Sequence, residues 1–169
     1  MSQKTNHRKT NKSRTQKTSS KTQKVGYKKT QKAGSKYERS VPDKRQSEVV
    51  AFFMEMLTTI KLYHWKTRSF AQHKATDELH ERVEEHVDKF VEVMLGKKKD
   101  DRVKMIQKCL HIFDFSKKSD FRDQLIEYRE FLIRMSQFLD KERDTDLLNI
   151  RDEIVGDINQ FLYLLSFDK

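Results

Sequence analysis

Residues that interrupt helices are almost absent from the chain after Pro42. The 169 residues contain one proline and four glycines, and the glycines beyond Pro42 are Gly96 and Gly156. Because strands and their tight turns usually need such residues at short intervals, this scarcity favours long helices over a sheet. The sequence therefore predicts an all-α fold for residues 43–169.

Apolar residues repeat every three to four positions in four segments, which is the pattern of amphipathic helices. We predict that the first helix starts near Asp43, with Asp43 and Gln46 as its N-cap and N3 residues, or with Ser47 as a later cap. The second helix should run from about residue 70 to 95 and end at Gly96, since glycine is a common residue just past a helix end.

Two further long helices are predicted, the third capped by Ser119 or Asp120 and the fourth preceded by Thr145 or Asp146. A short amphipathic helix is expected between the second and third, from about Arg102 to Phe113. The apolar stripes should share one core formed by Phe53, Leu57 and Ile60; Leu79, Val83, Val87, Phe90 and Met94; Phe121, Leu125, Tyr128, Leu132, Met135 and Leu139; and Leu147, Ile150, Ile154, Ile158, Phe161 and Leu165. Four long helices with a short helix in the crossover predict a four-helix bundle.

Positive charge is concentrated at the N-terminus. Residues 1–46 contain 15 Lys and Arg and two acids, a net charge of +13, whereas the remaining 123 residues carry −3. Residues 1–42 are rich in Lys, Thr, Ser and Gln and contain too few large apolar residues to offset their chain entropy. We therefore predict a disordered basic tail over residues 1–42, followed by the helical domain.

The tail has the composition of a ligand for polyanions. Cations that neutralise phosphates release counterions, and nothing in the repeated Lys/Thr/Gln words distinguishes one base from another, so binding to nucleic acid should be independent of sequence. The residues predicted to contact phosphates are Lys17, Lys21, Lys24, Lys28, Lys29, Lys32 and Lys36. The alternatives are a solubilising or localisation tail, or a segment that docks on an acidic protein surface.

No apolar run approaches the roughly 18–20 residues that cross a membrane, and the N-terminus lacks an apolar secretory segment. We therefore expect a soluble, intracellular protein with no membrane partner. Cys109 is the sole cysteine, which excludes a disulfide within the chain. Its place in an amphipathic segment favours a packing role over that of a nucleophile.

Two histidines and three acids form the candidate site: His64, His73, Asp77, Asp88 and Glu92. On one long helix, His73 and Asp77 make one i,i+4 pair and Asp88 and Glu92 make a second, on the same side and about 16 Å away. Metal–ligand bonds are only about 2 Å long, so one chain cannot close a single site with both pairs.

A second copy of the helix resolves this spacing. If it ran antiparallel, about a two-fold axis near Arg82 and Val83, the first pair of one chain would lie opposite the second pair of the other. The homodimer would then contain two identical His/carboxylate sites. Mixed ligands of this kind suit Fe(II), Mn(II) or Zn(II).

Other interpretations of these residues stay open. The four helix residues are also compatible with a solvated or salt-bridged flank, because Lys74 and Lys89 are near in sequence, and a lone histidine such as His64 is often a satisfied core residue. His80 and Glu84 fall on the same flank and are candidates for supporting groups. No Glu-x-x-His occurs in the chain, which disfavours a di-iron centre inside one bundle.

The chain resembles the Dps-type, mini-ferritin branch of the ferritin-like superfamily. The resemblance is carried by Leu-Tyr-His-Trp at 62–65, Phe-Ala-Gln-His at 70–73, Asp-Glu-Leu-His at 77–80, His-Val-Asp at 86–88 and Glu92. It extends over roughly residues 47–167, and the link at residues 66–69 is shorter than in that family.

This resemblance implies an inter-subunit ferroxidase centre in a spherical homo-oligomer that oxidises Fe(II) with peroxide or O2 and stores the ferric product. His64, His73 and Asp77 would come from one subunit, and Asp88 and Glu92 from its neighbour. A second resemblance, in Lys-Leu-Tyr-His-Trp-Lys at 61–66 and residues 73–79, is to ferritin-like proteins of large DNA viruses, which implies packaging in a virion. The alternative function is accordingly a non-enzymatic structural or genome-packaging protein built on a ferritin-like dimer.

Overall fold

The computed structural model describes residue 1 and residues 41–98 and 102–167. These residues form an all-α structure, as the sequence predicted, without a strand in the described part. The helices are α1 (Asp43–Lys66), α2 (Phe70–Gly96), α3 (Lys118–Arg134) and α4 (Thr145–Leu165), and a 3-10 turn (Met135–Gln137) follows α3. Within the described residues, no helix has the length and apolar character needed to cross a membrane. The predicted tail lies almost entirely outside them.

The helix starts differ from the predicted caps. Pro42 is the N-cap of α1, and no side chain caps that end. Asp43 instead pairs with Lys98 at 2.8 Å, while the Gln46 amide donates a hydrogen bond to the Val41 carbonyl at 3.0 Å. The capping box predicted from Asp43 and Gln46 is therefore wrong, because both side chains are engaged by residues outside the first turn.

The N-caps of the later helices lie one to three residues before the expected ones. Lys117 is the N-cap of α3 and makes no side-chain capping bond, while the hydroxyl of Ser119 donates to Asp120. Asp144 precedes α4 and accepts from the backbone N–H of Asp140 at 2.8 Å. The sequence predicted the helices but not their caps. Which residue caps a helix depends on whether nearby loop groups already bind the candidate side chain.

The core consists of the predicted apolar stripes. Every predicted core residue in α2 and α4 is buried, and so is every predicted core residue between positions 121 and 139. Of the three predicted core residues in α1, Phe53 and Ile60 are buried and Leu57 is half-buried. The Tyr63 ring stacks on Phe121 at 3.9 Å between centroids, and the Thr59 hydroxyl lies 2.9 Å from that of Tyr128. These contacts run antiparallel along α1 and α3 and join the two helices through one core.

Helices α2 and α4 are also antiparallel. Arg82 lies 3.4 Å from Asp157 and donates to Gln160 at 2.7 Å, and His86 reaches Asp157 and Glu153 at 3.2 and 3.4 Å. Because α2 and α3 run in the same direction, the chain between them must return along the length of the molecule. That return places residues 102–117 beside α1.

The predicted short helix in this connection is wrong. Residues 102–117, which we call the strap, contain no helix. The buried hydroxyl of Ser47 accepts hydrogen bonds from the backbone N–H groups of Ile106 and Gln107 at 2.9 and 3.4 Å, and Asp114 pairs with Lys66 at the other end of α1. Ser47 and Lys66 are 19 residues apart on α1, which is about 28 Å, whereas a 12-residue helix is only about 18 Å long. The strap must therefore be more extended than a helix. Cys109 is exposed, which contradicts its expected packing role.

Candidate metal centre

A three-residue link, residues 67–69, brings the end of α1 against the start of α2. The backbone N–H of Thr67 donates to the Tyr63 carbonyl at 2.9 Å and closes α1. Ser69 caps α2 by accepting from the backbone N–H of Gln72 at 3.3 Å. Because both helix ends are fixed by such short connections, His64 in the last turn of α1 lies beside His73 in the first turns of α2.

The two histidines are joined by reciprocal hydrogen bonds. The Nδ1 atom of His64 lies 2.9 Å from the carbonyl oxygen of His73, and the Nδ1 atom of His73 lies 3.0 Å from the carbonyl oxygen of His64. Their rings stack with centroids 3.9 Å apart and planes tilted by 22°. His64 is 7% exposed, and His73 is half-buried.

This pairing fixes the protonation pattern of both rings. A carbonyl oxygen can only accept, so each Nδ1 carries the proton and donates it. In the neutral ring, the lone pair is then on Nε2. Histidines that bind metals commonly have this arrangement, with one nitrogen donating to a carbonyl or carboxylate and the other free to coordinate.

Asp77 completes a three-residue cluster within one chain. Its Oδ1 atom lies 3.7 Å from Nε2 of His64, and its side chain is 53% exposed. The ammonium of Lys61 lies 3.6 Å from the same oxygen. His64 therefore lies near both His73 and Asp77, and the Lys61 ammonium beside the carboxylate was not part of the sequence prediction.

Asp88 and Glu92 do not join this cluster within the chain. Both are exposed on α2 and lie 11 or more residues beyond Asp77, a separation of at least about 16 Å along the helix. Among the described residues of a single chain, no group of three or more His, Cys, Asp or Glu is close enough to hold a metal ion. Val83 is buried, so the flank of α2 that a partner can reach carries Asp77, Glu84 and Asp88.

His80 lies on the border of this flank. Its Nδ1 atom is 3.6 Å from Glu84, and its side chain is 15% exposed. Burial lowers the pKa of His80 below its ordinary value of 6.5, and the nearby Glu84 carboxylate opposes that shift only partly. The ring is therefore neutral at pH 7, which suits a supporting group next to a cation site.

An apolar groove adjoins the candidate site on the α1 side. It has a volume of about 390 Å³ and is lined by Leu57, Leu62, Trp65 and Ile112, with Lys61 and His80 at its polar edge. Trp65 is 69% exposed and Ile112 is 60% exposed. A partner that covered Trp65 and Ile112 would remove their apolar side chains from water.

Lys61 and Thr76 are the residues of this region that sequence reasoning missed. Thr76 is buried, donates to the Gln72 carbonyl at 2.7 Å and lies 3.4 Å from Nδ1 of His64. Lys61 lies one helical turn before His64, and Thr76 lies one turn after His73. This spacing is the sequence signal that could have identified them as neighbours of the site. The predicted phosphate-contacting residues lie outside the described residues: Lys17, Lys21, Lys24, Lys28, Lys29, Lys32 and Lys36.

Fold and site together define an all-α protein whose first two long helices present two imidazoles and a carboxylate at their junction. The chain belongs to a family of unknown function, DUF5856, whose model matches residues 64–165. The match contains all five predicted ligands and excludes the basic tail. No curated protein and no solved structure matched the chain.

Proposed function

We propose that the chain forms a ferritin-like, Dps-type homodimer, or a larger homo-oligomer built from that dimer, which binds Fe(II) at two inter-subunit sites and oxidises it. His64, His73 and Asp77 of one subunit would bind the metal together with Asp88 and Glu92 of the partner subunit. Mn(II) and Zn(II) are suited to the same mixed ligand set.

The observation that carries this proposal is the reciprocal bonding of His64 and His73. Two separate Nδ1–H groups donate to two carbonyls, so Nε2 of each neutral ring is the nitrogen left to coordinate a metal. Packing alone explains the burial of His64, but it does not require the same tautomer in both rings.

The position of Asp88 and Glu92 supports a second chain as the source of the remaining ligands. They lie on the exposed flank of α2 that also carries Asp77, at the spacing that an antiparallel copy would match. The apolar groove beside Trp65 gives such a copy apolar surface to bury next to the site.

Each ligand type would have a distinct part in the reaction. Fe(II) is the substrate and gives its electron to peroxide or O2. The two imidazoles bind the ferrous ion through neutral nitrogens. The carboxylates supply negative charge, which stabilises Fe(III) more than Fe(II) and so favours oxidation.

We also propose that the basic tail binds nucleic acid without sequence preference, through Lys17, Lys21, Lys24, Lys28, Lys29, Lys32 and Lys36. Charge supports this, since residues 1–46 carry +13. Deleting residues 2–40 should abolish the retardation of DNA in a gel at low salt. Undiminished retardation by the shortened protein would exclude the tail as the main contact.

One observation favours the alternative, a structural or packaging protein on the same dimer scaffold with no turnover. The Lys61 ammonium lies 3.6 Å from Asp77, where it can neutralise the carboxylate in place of a metal. In this alternative, His64, His73 and Asp77 would stabilise the α1–α2 junction. Association with nucleic acid or a virion would then depend on the tail and the dimer surface.

The two functions are distinguished by metal content, mass in solution and turnover. The ferroxidase should retain two metal sites per dimer and oxidise Fe(II) faster than buffer alone. The double variant Asp77→Ala, Asp88→Ala should lose this oxidation and keep its helical circular dichroism. Glu127→Ala with Asp152→Ala, which removes two exposed carboxylates elsewhere, is the matched control. A metal-free dimer, or unchanged oxidation by the first variant, would contradict the proposal.

A further inference from the structure

An apolar groove, which we call the α2–α4 groove, lies where the start of α2 meets the end of α4. Its volume is about 320 Å³. Its apolar lining residues are Ala71, Ala75, Leu164 and Leu165. Lys74 and Glu78 are its charged lining residues. Because the two alanines are short, the groove has room for a side chain from another molecule.

Aromatic side chains of α4 and the turn after it are exposed next to this groove. Tyr163 and Phe167 are each 63% exposed, and Leu164, which lines the groove, is 41% exposed. The two rings meet edge to face with centroids 4.8 Å apart. Aromatic residues are enriched at protein interfaces, because each ring removes a large apolar area from water when a partner covers it.

The groove carries one positive and one negative charge, one helical turn apart. Lys74 and Glu78 are an i,i+4 pair on the exposed surface of α2. Within the part of the chain that the structure describes, neither side chain forms an ion pair. If a second copy approached about a two-fold axis between these two residues, each lysine would face the glutamate of the other copy. A surface that matches itself in this way is the property of a two-fold contact.

We propose that the α2–α4 groove, with the rings of Tyr163 and Phe167, binds the same surface of a second copy of the chain. The rings of one copy enter the groove of the other, and two ion pairs between Lys74 and Glu78 border the buried apolar surface. The basic tail is a poorer occupant, because residues 1–42 contain few large apolar residues and the charges of the groove cancel.

This contact is separate from the proposed metal-binding dimer. Asp77 lies on the side of α2 that meets α1, where its carboxylate is near Lys61. Ala71 and Ala75 lie on the side that meets Leu164 of α4. One α2 helix therefore has a surface for a neighbour on each side, and the second contact joins dimers into a larger homo-oligomer. It requires neither a bound metal nor the tail, so its failure and that of the metal site are distinguishable.

Zero-length cross-linking of the full-length protein tests the contact directly. A carbodiimide joins a lysine to a carboxylate that touches it, and isotope-labelled and unlabelled chains refolded together reveal links between chains. Peptides joined through Lys74 and Glu78 should include pairs with one labelled and one unlabelled member. The absence of mixed pairs would overturn the proposal, whether Glu78 links within its own chain, to the tail lysines of residues 2–40 or to nothing.

Charge exchange gives a second test. Lys74→Glu and Glu78→Lys should each weaken association through this surface about tenfold, because two attractive contacts become repulsive. An equal mixture of the two variants should associate about as tightly as the wild type, since opposite charges face each other again. Sedimentation velocity over a range of concentrations measures this association.

The matched controls for charge exchange are Lys141→Glu and Glu127→Lys, which make the same charge changes at exposed positions elsewhere. They should associate like the wild type, alone and mixed. Circular dichroism confirms that all four variants fold. If the groove variants associate as the controls do, or if mixing them restores nothing, the second copy does not bind at this surface.

Discussion

The imidazole of His64 and that of His73 each donate a hydrogen bond to the backbone carbonyl of the other residue, at 2.9 and 3.0 Å. This exchange ties the last turn of α1 to the first turns of α2. It also leaves Nε2 of each neutral ring as the acceptor nitrogen, and that of His64 lies 3.7 Å from Asp77. A contact that stabilises the helix junction therefore prepares two nitrogen ligands at the same time.

Mixing two inactive variants should restore part of the proposed ferroxidase activity. His73→Ala with Asp77→Ala destroys one half of each site, and Asp88→Ala with Glu92→Ala destroys the other half. After unfolding and refolding together, random pairing makes half of the dimers mixed, and each mixed dimer regains one intact site, about a quarter of all sites. Oxidation of Fe(II) by the mixture is the measurement.

A chain that carries all four substitutions is the control for this mixing experiment, because its mixture with either variant contains no intact site. If the mixture of the two inactive variants stays inactive while the refolded wild type is active, the ligands do not come from two subunits.

Replacing Lys61 by glutamine should strengthen metal binding. The ammonium at 3.6 Å competes with a metal cation for Asp77. Exposed ion pairs are worth up to about 1 kcal/mol, so the affinity for Mn(II) should rise by at most about fivefold. Isothermal titration calorimetry measures this change, with Lys89→Gln as an exposed lysine control on α2. Weaker binding by the Lys61 variant would mean that the lysine supports the site.

Removing the hydroxyl of Ser47 should loosen the strap, residues 102–117. This hydroxyl is buried and accepts from two backbone N–H groups, so Ser47→Ala leaves them without that acceptor and should cost about 1–2 kcal/mol. Urea unfolding gives the stability, and hydrogen exchange should accelerate around residues 105–108. Thr58→Ala, whose hydroxyl bonds only within α1, should leave exchange in the strap unchanged.

The contacts of Lys97 with two carboxylates should make the free energy of unfolding fall as the pH is lowered into the acidic range. It contacts Asp146 at 2.7 Å and Asp144 at 2.9 Å. Burial raises the pKa of Asp146, but the hydrogen bond and charge of Lys97, together with backbone hydrogen bonds such as that from Leu147, hold the pKa below its ordinary 3.8. The folded state therefore binds fewer protons than the unfolded state, and this stability is present above pH 3.8 and is lost as pH falls through the lowered pKa.

In Lys97→Met, the contribution of this contact should disappear. The variant should be less stable by about 1–2 kcal/mol at pH 7 and should lose less further stability than the wild type on acidification below about pH 4. Urea unfolding across this range is the measurement, and Lys89→Met is the control. Parallel pH profiles for wild type and Lys97→Met would contradict the predicted role.

Several errors of the sequence predictions have a common physical cause. The strap residues Ile106 and Leu110 have the i,i+4 spacing of an amphipathic helix, but both are exposed in a segment without helix. Isolated helices of this length are marginal in water, so anchors outside the segment decide its conformation. The predicted cap of α1 failed similarly, because Asp43 pairs with the distant Lys98, whereas at α3 Ser119 bonds to its neighbour Asp120.

The sequence by itself determined the four long helices, their inward faces and the conclusion that one chain cannot join Asp77 to Asp88 around an ion. Those properties depend on helical periodicity and rise, which are local. Only the tertiary structure decided the extended strap, the ion pair between Lys61 and Asp77, and the reciprocal bonds of His64 and His73. These depend on how two helices meet across a three-residue link and on which backbone groups are left facing each other there.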